Sequence, residues 1–388
     1  MSRRLRVLYS VEGFTDIRFV AGLCGIADVT MLVPSRQYGE SGLGERIARA
    51  GLDLRVVQVP GGRLRYQIAS LAPLWRLARG ADVVLAQEVL RGALNANLVG
   101  ALRGVPVVTY MGIAPLEYFL CRRERGSIGP LRAFAGATLI RSLMAVNGRL
   151  ASRCLAMGPY LRDVAARYCP RSGVGLYYGV DTSFFRPADA AERAELRRRR
   201  DLPPDRFIVF LSSRISHEKD PETVLRAAAL AREQGLDAVV LNLGGGWAEF
   251  LRLAREMGLP DVDGWVLGRP AAHPMMDVAD YFRAADVMAL ASLAEGAAYS
   301  TLEALACGTP VVATAVGGMA VQLPGYARLV PRRDAAAMAA QFLWVARHRD
   351  EARAEALRGR EYVEREWSRE KAFGDLLAVL EEVAAARR

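Results

Sequence analysis

Ten short apolar runs rich in β-branched residues, most of them followed by a helix-length stretch, set the strongest limit on how this chain folds. Five come early: RVLYSV (6–11), VTMLVP (29–34), LRVVQVP (54–60), ADVVLAQ (81–87) and VPVVTYMG (105–112). The pattern restarts with FIVFLSS (207–213) and continues through AVVLNLGGG (238–246), GWVLG (264–268), ADVMALAS (285–292) and TPVVATA (309–315). Near-continuous apolar runs mark strands buried on both faces, and helices between them imply parallel sheets. Helical patterns occupy 42–50, 64–79, 92–103, 190–200, 220–234 and 247–257, and 131–168 reads as mostly helical. The expected fold is α/β, two facing doubly wound parallel-sheet domains. The turn-rich stretch 175–205 separates them. The domains are expected at 1–185 and 186–367. The final helix, 368–388, has no strand after it and must pack on something already built.

The 388 residues suffice for two cores, and 52% hydrophobic with 24% charged residues reads as soluble and globular. No apolar run reaches the ~18 residues of a membrane span. The apolar stretch behind the basic tip MSRR is too short for a signal peptide. Five cysteines without CxxC spacing suggest free thiols in a reducing, cytoplasmic setting. The three histidines, His217, His273 and His348, form no metal-ligand pattern, so no metal is expected. Net charge is +10, and it is unevenly placed. Residues 1–190 hold 25 arginines against 13 acids, whereas the remainder is slightly acidic. The excess peaks at 115–171, where apolar residues such as Phe119, Phe134, Leu139 and Met144 interleave with arginines. Either this is a core helix with an Arg-rich exposed face, or residues 118–171 dock on an anionic membrane surface. Nucleic acid is not expected, for want of an aromatic stacking platform.

In open α/β sheets ligands bind beyond the carboxyl ends of the strands. Two loops there carry chemistry. The strand 285–292 leads into LAEGAAYSTLEALACG (293–308), with Glu295 in the loop and Glu303 in the next helix. Ser300 is a plausible N-cap, which would make Glu303 an ordinary capping-box residue. Glu295 has no such role. Gly296, Ala297 and Ala298 leave the backbone open, so free N–H groups at the helix start form an anion site. Carboxylates beside it suit sugar hydroxyls. In the other loop, SSRISHEKDPETVLRA (212–227), Arg214 and Lys219 follow a strand. Only two of the 52 basic residues are lysines, Lys219 and Lys371, which suggests that a compact ammonium is wanted at 219.

Arg-x4-Lys followed by Glu-x7-Glu, with LNLGGG, GWVLGR and EGAAYSTLEALACGTPVVATAVGG in this order, resembles the retaining glycosyltransferases of family 4, the group 1 sugar-nucleotide enzymes of the GT-B fold. The likeness is close from 207 to 318 and weaker at GVDTSFFRP (179–187) and GVPVV (104–108). It implies that Arg214 and Lys219 stabilise a departing diphosphate, that Glu295 meets the donor hexose, and that Glu303 holds the ribose. It places Gly296, Ala298 and the N–H groups of Tyr299, Ser300, Thr301 and Leu302 near the distal phosphate. Arg269 falls near the base or is a surface arginine, and Gly13 faces the donor from the first domain. The resemblance further implies a nucleoside-diphosphate sugar, UDP ahead of GDP, no metal, and a final helix crossing back to the first domain.

The first domain departs from that family. Met111 stands where a histidine is common, leaving the Gly112 backbone as a substitute; Tyr178 replaces an asparagine, and a Gly-Gly pair is reduced to Gly13. Gln87 and Glu88 end a strand and are expected at the acceptor, though Glu88 could simply favour a helix dipole. The activity expected is transfer of a hexose to a lipid-linked or glycan acceptor in cell-envelope or exopolysaccharide synthesis, at the inner face of the membrane. The alternatives are a GT-B sugar-nucleotide epimerase and a non-catalytic sugar-nucleotide-binding scaffold. A dinucleotide oxidoreductase is disfavoured because no G-x-G-x-x-G follows any strand.

Overall fold

The computed structural model describes residues 4–124, 126–244, 246–270 and 274–386. They form two compact units, Met1–Gly179 with Glu370–Arg388, and Val180–Arg369. The first holds a seven-stranded sheet of β1 (Arg6–Ser10), β2 (Asp28–Pro34), β3 (Arg55–Val59), β4 (Val83–Ala86), β5 (Val107–Met111), β6 (Arg153–Ala156) and β7 (Ser172–Val174), in the order 3-2-1-4-5-6-7. The second holds β8 (Phe207–Leu211), β9 (Ala238–Leu243), β10 (Val266–Arg269), β11 (Val287–Leu290), β12 (Val311–Thr314) and β13 (Arg328–Val330), in the order 10-9-8-11-12-13. Every pairing is parallel. The central strands are buried along their whole length, as FIVFL in β8 and VVTYM in β5 show.

Three strands escape the sequence pattern. The stretch that reads as mostly helical over 131–168 is a helix Pro130–Leu150, then β6, then a helix Pro159–Ala166. Four residues, RCLA, are too few to show a period. The helix expected over 64–79 breaks into Arg63–Ala69 and Leu71–Ala78. Pro73 explains the break: its ring would strike the carbonyl four residues back, so the first helix ends at Ala69. The last helix, Arg369–Ala385, packs within the first unit, where Phe373 lies 6.1 Å from Phe19 and fills the space over Gly22.

One buried carboxylate organises the amino end of the second sheet. Asp286 precedes β11 and accepts from Ile208 N–H (2.7 Å), Arg197 (2.7 Å), Arg193 (2.8 Å) and Arg349 (3.2 Å). It thereby joins β8 to the helices Ala190–Arg199 and Arg349–Glu366. Arg197 is itself buried. Removing one partner of such a group leaves an uncompensated charge and costs about 3–5 kcal/mol. Asp286→Ala should therefore lower the urea midpoint for unfolding of the second unit by that order of free energy, read by intrinsic fluorescence.

Candidate active site

In both sheets the winding direction reverses once: between β1 and β4, and between β8 and β11. The loops leaving such a pair diverge and open a crevice at the carboxyl ends of the strands. The notable polar groups lie at these two places.

In the second unit the loop after β8 runs through Arg214 into a short turn, His217–Lys219, and a helix Pro221–Glu233 with proline in its first turn. Asp220 takes a left-handed conformation (φ 45°) to make the corner, and accepts from the Thr223 hydroxyl (2.7 Å). The loop after β11 carries Glu295. Leu293 N–H donates to Glu218 O (2.7 Å), and the Lys219 ammonium is paired with the Glu295 carboxylate. The pair is nearly enclosed, with 15% and 8% of the two side chains exposed. Ser292 Oγ also donates to Glu295 (3.1 Å), and the Thr314 hydroxyl holds the Ser292 carbonyl (2.6 Å). Gly318 N–H donates to Glu295 O (2.9 Å). A Cβ on Gly318 would stand 1.9 Å from Gly296 O, so only glycine permits this closure.

Arg214 belongs to the same loop but points outward: its side chain is 82% exposed and lies 4.0 Å from Glu218. Glu303 is buried in the helix Tyr299–Ala306. The N-cap is Ala298, not Ser300, so Glu303 sits two residues deeper than a capping box places it. The capping explanation therefore fails; small residues let the helix begin early. The helix start also differs from the expected open anion site. Tyr299 N–H donates to Ala297 O, and Thr301 and Leu302 N–H to Ala298 O, so three of the four groups already have acceptors. Leu302 is core, and Tyr299 packs edge-on against Trp367 at 6.0 Å. Arg269 ends β10, but its guanidinium turns to Asp201, 3.3 Å from the carbonyl and 3.5 Å from the exposed carboxylate. This is the surface-arginine alternative.

In the first unit the structure places four of the expected residues as follows. Met111 is 2% exposed and packs in an apolar cluster with Val89, Met144 and Leu161, so its side chain is core. Gly112 is half-buried, with the Met157 methyl where its Cβ would press. Gln87 is locked inside an aromatic network, bonded by the Tyr9 hydroxyl and donating to the Tyr177 hydroxyl (2.5 Å). Gly13 is half-buried beneath the Arg63 guanidinium.

Glu88 does cap a helix, accepting from Gly92 N–H and Ala93 N–H at the start of Arg91–Arg103. It also has an acid neighbour that the sequence reading overlooked. Glu12, in the loop after β1, is 4% exposed and pairs with Arg91 (2.8 Å). Both carboxyls converge on the bare Cα of Gly92, where a Cβ would lie 2.6 Å from Glu88 Oε1 and 3.1 Å from Glu12 Oε2. Among the described residues no N–H or hydroxyl reaches Glu12 Oε2. A proton held by Glu88 would supply that donor. Burial first, then the charge and hydrogen bond of Glu12, push the Glu88 carboxyl up to about 8. The available signal was positional: Glu12 directly follows the first strand, and Glu88 the strand that pairs with it.

The two-unit parallel architecture is shared with solved structures. Anabaena HepE, determined with UDP, has a TM-score of 0.77 over 97% of this chain and 100% of its own, at 15% identity. Sucrose-phosphate synthase of Thermosynechococcus elongatus has 0.73 over 99% and 100%, at 19% identity. At such identities the likeness establishes the fold, which is GT-B. Residues 192–361 match the family described as glycosyl transferases group 1. A D-inositol 3-phosphate glycosyltransferase of Catenulispora acidiphila is 32% identical over 253 residues, 61% of this chain. The chain spans 57% of that relative's length and 34% of a second from the same organism. The segment that resembles the group 1 glycosyltransferases lies within the second unit.

Glu88 yields a pH prediction. Its ordinary value is 4.5 and its folded value about 8, so between them the folded protein holds the extra proton. The resulting stabilisation is full below 4.5 and lost as pH rises through 8. Glu88→Gln cannot ionise, so the thermal midpoint of wild type relative to the variant should fall between about pH 5 and about pH 9. A constant difference across that range would show that Glu88 ionises normally.

Proposed function

We propose that this protein transfers a hexose, with retention, from a nucleoside-diphosphate sugar to a lipid-linked or glycan acceptor. The observation that carries the reading is the enclosed Lys219–Glu295 pair, which joins the two loops at the second sheet's winding reversal within the family-matched segment. The ammonium has two further protons to offer a diphosphate. Breaking the bond from the anomeric carbon to the phosphate oxygen builds negative charge on the departing diphosphate. Lys219 meets that charge without reorganising, and Arg214 swings in from solvent to share it. The acceptor oxygen bonds to the anomeric carbon on the same face, and its proton passes to the departing phosphate oxygen. Glu295 contacts the hexose hydroxyls, and Glu303 the ribose.

UDP is favoured because Anabaena HepE was solved with UDP and with UDP-glucose. An envelope or exopolysaccharide acceptor is in keeping with another fold neighbour, WaaG, which is described as acting in lipopolysaccharide biosynthesis. In the first unit the Glu12–Glu88 pair stands in for the missing histidine as the group that takes the acceptor's hydroxyls.

The first test is a thermal-shift panel of nucleoside diphosphates; UDP should raise the midpoint most, and Lys219→Ala should abolish the shift. Lys219→Ala and Glu303→Ala should each eliminate transfer from labelled donor while the protein still unfolds cooperatively. Arg214→Ala should slow it roughly 10²-fold. Near-wild-type turnover in Lys219→Ala, or an epimerised donor as sole product, would overturn the assignment.

A further inference from the structure

The first unit carries a face that is at once basic and apolar. The steps β3 to β4 to β5 to β6 cross the sheet in one direction, and right-handed crossovers put their helices on one side of it. Four of these are Arg63–Ala69, Leu71–Ala78, Arg91–Arg103 and Pro130–Leu150. Leu71–Ala78 packs on Arg91–Arg103, and that helix on Pro130–Leu150. Together they contain eight arginines and no aspartate or glutamate. Of the acids in the same crossovers, Asp82 is engaged by Arg6, Glu88 by the helix start and Glu117 by the Tyr160 hydroxyl, while Glu124 ends the helix Pro115–Glu124 that packs on Pro130–Leu150.

The same helices hold 11 of the 15 large apolar residues that are exposed among the described residues. Leu64, Ile68, Leu102, Leu131 and Phe134 are each at least 74% exposed. Scattered apolar residues need no explanation, but this concentration on adjoining helices does. The face is wider than the basic segment 118–171 suggested. It reaches back to residue 63. Within that segment only the outer side of Pro130–Leu150 contributes strongly, since Met144 is buried and Phe119 packs over Gly136.

We infer that this four-helix face docks on an anionic lipid surface, its aliphatic side chains entering the headgroup region while the arginines pair with lipid phosphates. Charge chooses the occupant. A two-fold dimer through this face would set one arginine-rich surface against another. Nucleic acid would reward aromatic platforms over isolated leucines and isoleucines. An anionic bilayer answers both halves of the pattern, because amphipathic basic surfaces bind it by apolar insertion plus electrostatic attraction. The inference deepens the proposed function by naming where a lipid-linked acceptor is met, and in that respect rests on it.

The experiment is flotation of the full chain with vesicles of phosphatidylcholine containing about 30% phosphatidylglycerol, and with phosphatidylcholine alone, at low and ~0.15 M salt. Binding is expected to the anionic vesicles only, weaker at the higher salt. Arg76→Gln with Arg141→Gln should reduce it on the order of tenfold or more. Ile68→Ser with Leu102→Ser and Phe134→Ser should remove what survives salt. All these positions are exposed and outside the donor site, so each variant should keep the wild-type thermal midpoint. No binding at either salt, undiminished binding in both variants, or a dimer that the serine variant dissociates would each overturn the proposal. Vesicle binding is read without sugar nucleotide, so its failure leaves the donor-site reading intact, and the reverse holds.

Discussion

The reversal of strand order is the constraint from which the rest of this structure follows. A parallel sheet wound in one direction sends every loop the same way and closes over its own carboxyl edge. Winding out from a central strand in both directions instead leaves two neighbouring loops with no helix between them. Here that happens at β1/β4 and at β8/β11. In each case ionisable side chains from the two loops meet: Glu12 with Glu88, and Lys219 with Glu295. The pairs differ in kind. Two carboxyls must share a proton to lie together, whereas a cation and a carboxylate neutralise each other and hold each other in place.

That difference bears on what each crevice can accept. On the proposed reading, an anion displaces part of the carboxylate's claim on the Lys219 ammonium in the Lys219–Glu295 pair. A buried ion pair contributes little net stability, because desolvation offsets the attraction. Its presence in the loop next to Gly318, where no side chain fits, is better explained by a ligand than by folding. The Glu12–Glu88 pair has no cation beyond Arg91 and offers hydrogen-bond acceptors, which suits hydroxyl groups.

How much of this the sequence disclosed depends on segment length and on what a side chain's neighbours do. Ten strands were legible because short, largely apolar runs rich in β-branched residues, set between helix-length stretches, have few other fates. β7 and β13 were not, being three residues long, with β7 half-buried throughout, and β6 was not because its four residues open on Arg153 and lie between two helical patterns. The helix break at Ser70 was legible in principle, since Pro73 forbids continuity. Lys219 and Glu295 could be paired through the family resemblance, but nothing in spacing alone says that Arg214 stays in solvent while Lys219 goes inside. Met111 shows the opposite limit. Its register matched a functional position, yet a thioether at the end of a fully buried strand packs with Val89 and Met144. Glu12 was missed because it looks like an ordinary turn residue until β4 is placed beside β1.

Lysine usage ties these strands of argument together. A chain that chooses arginine for 50 of its 52 cations keeps two lysines. Lys371 forms an exposed i,i+4 pair with Asp375 (3.2 Å), where arginine would serve as well. Lys219 is different: the turn His217–Lys219 and the β11 loop are joined by Leu293 N–H to Glu218 O, and the ammonium is nearly enclosed against Glu295. A guanidinium is planar and wide, and would have to push the two loops apart to reach the same carboxylate. A compact ammonium reaches it on a thin stem and still presents protons outward. Arginine suits the exposed faces of this protein, where the charge is spread over a surface; lysine suits the single place where a charge must be delivered at a point.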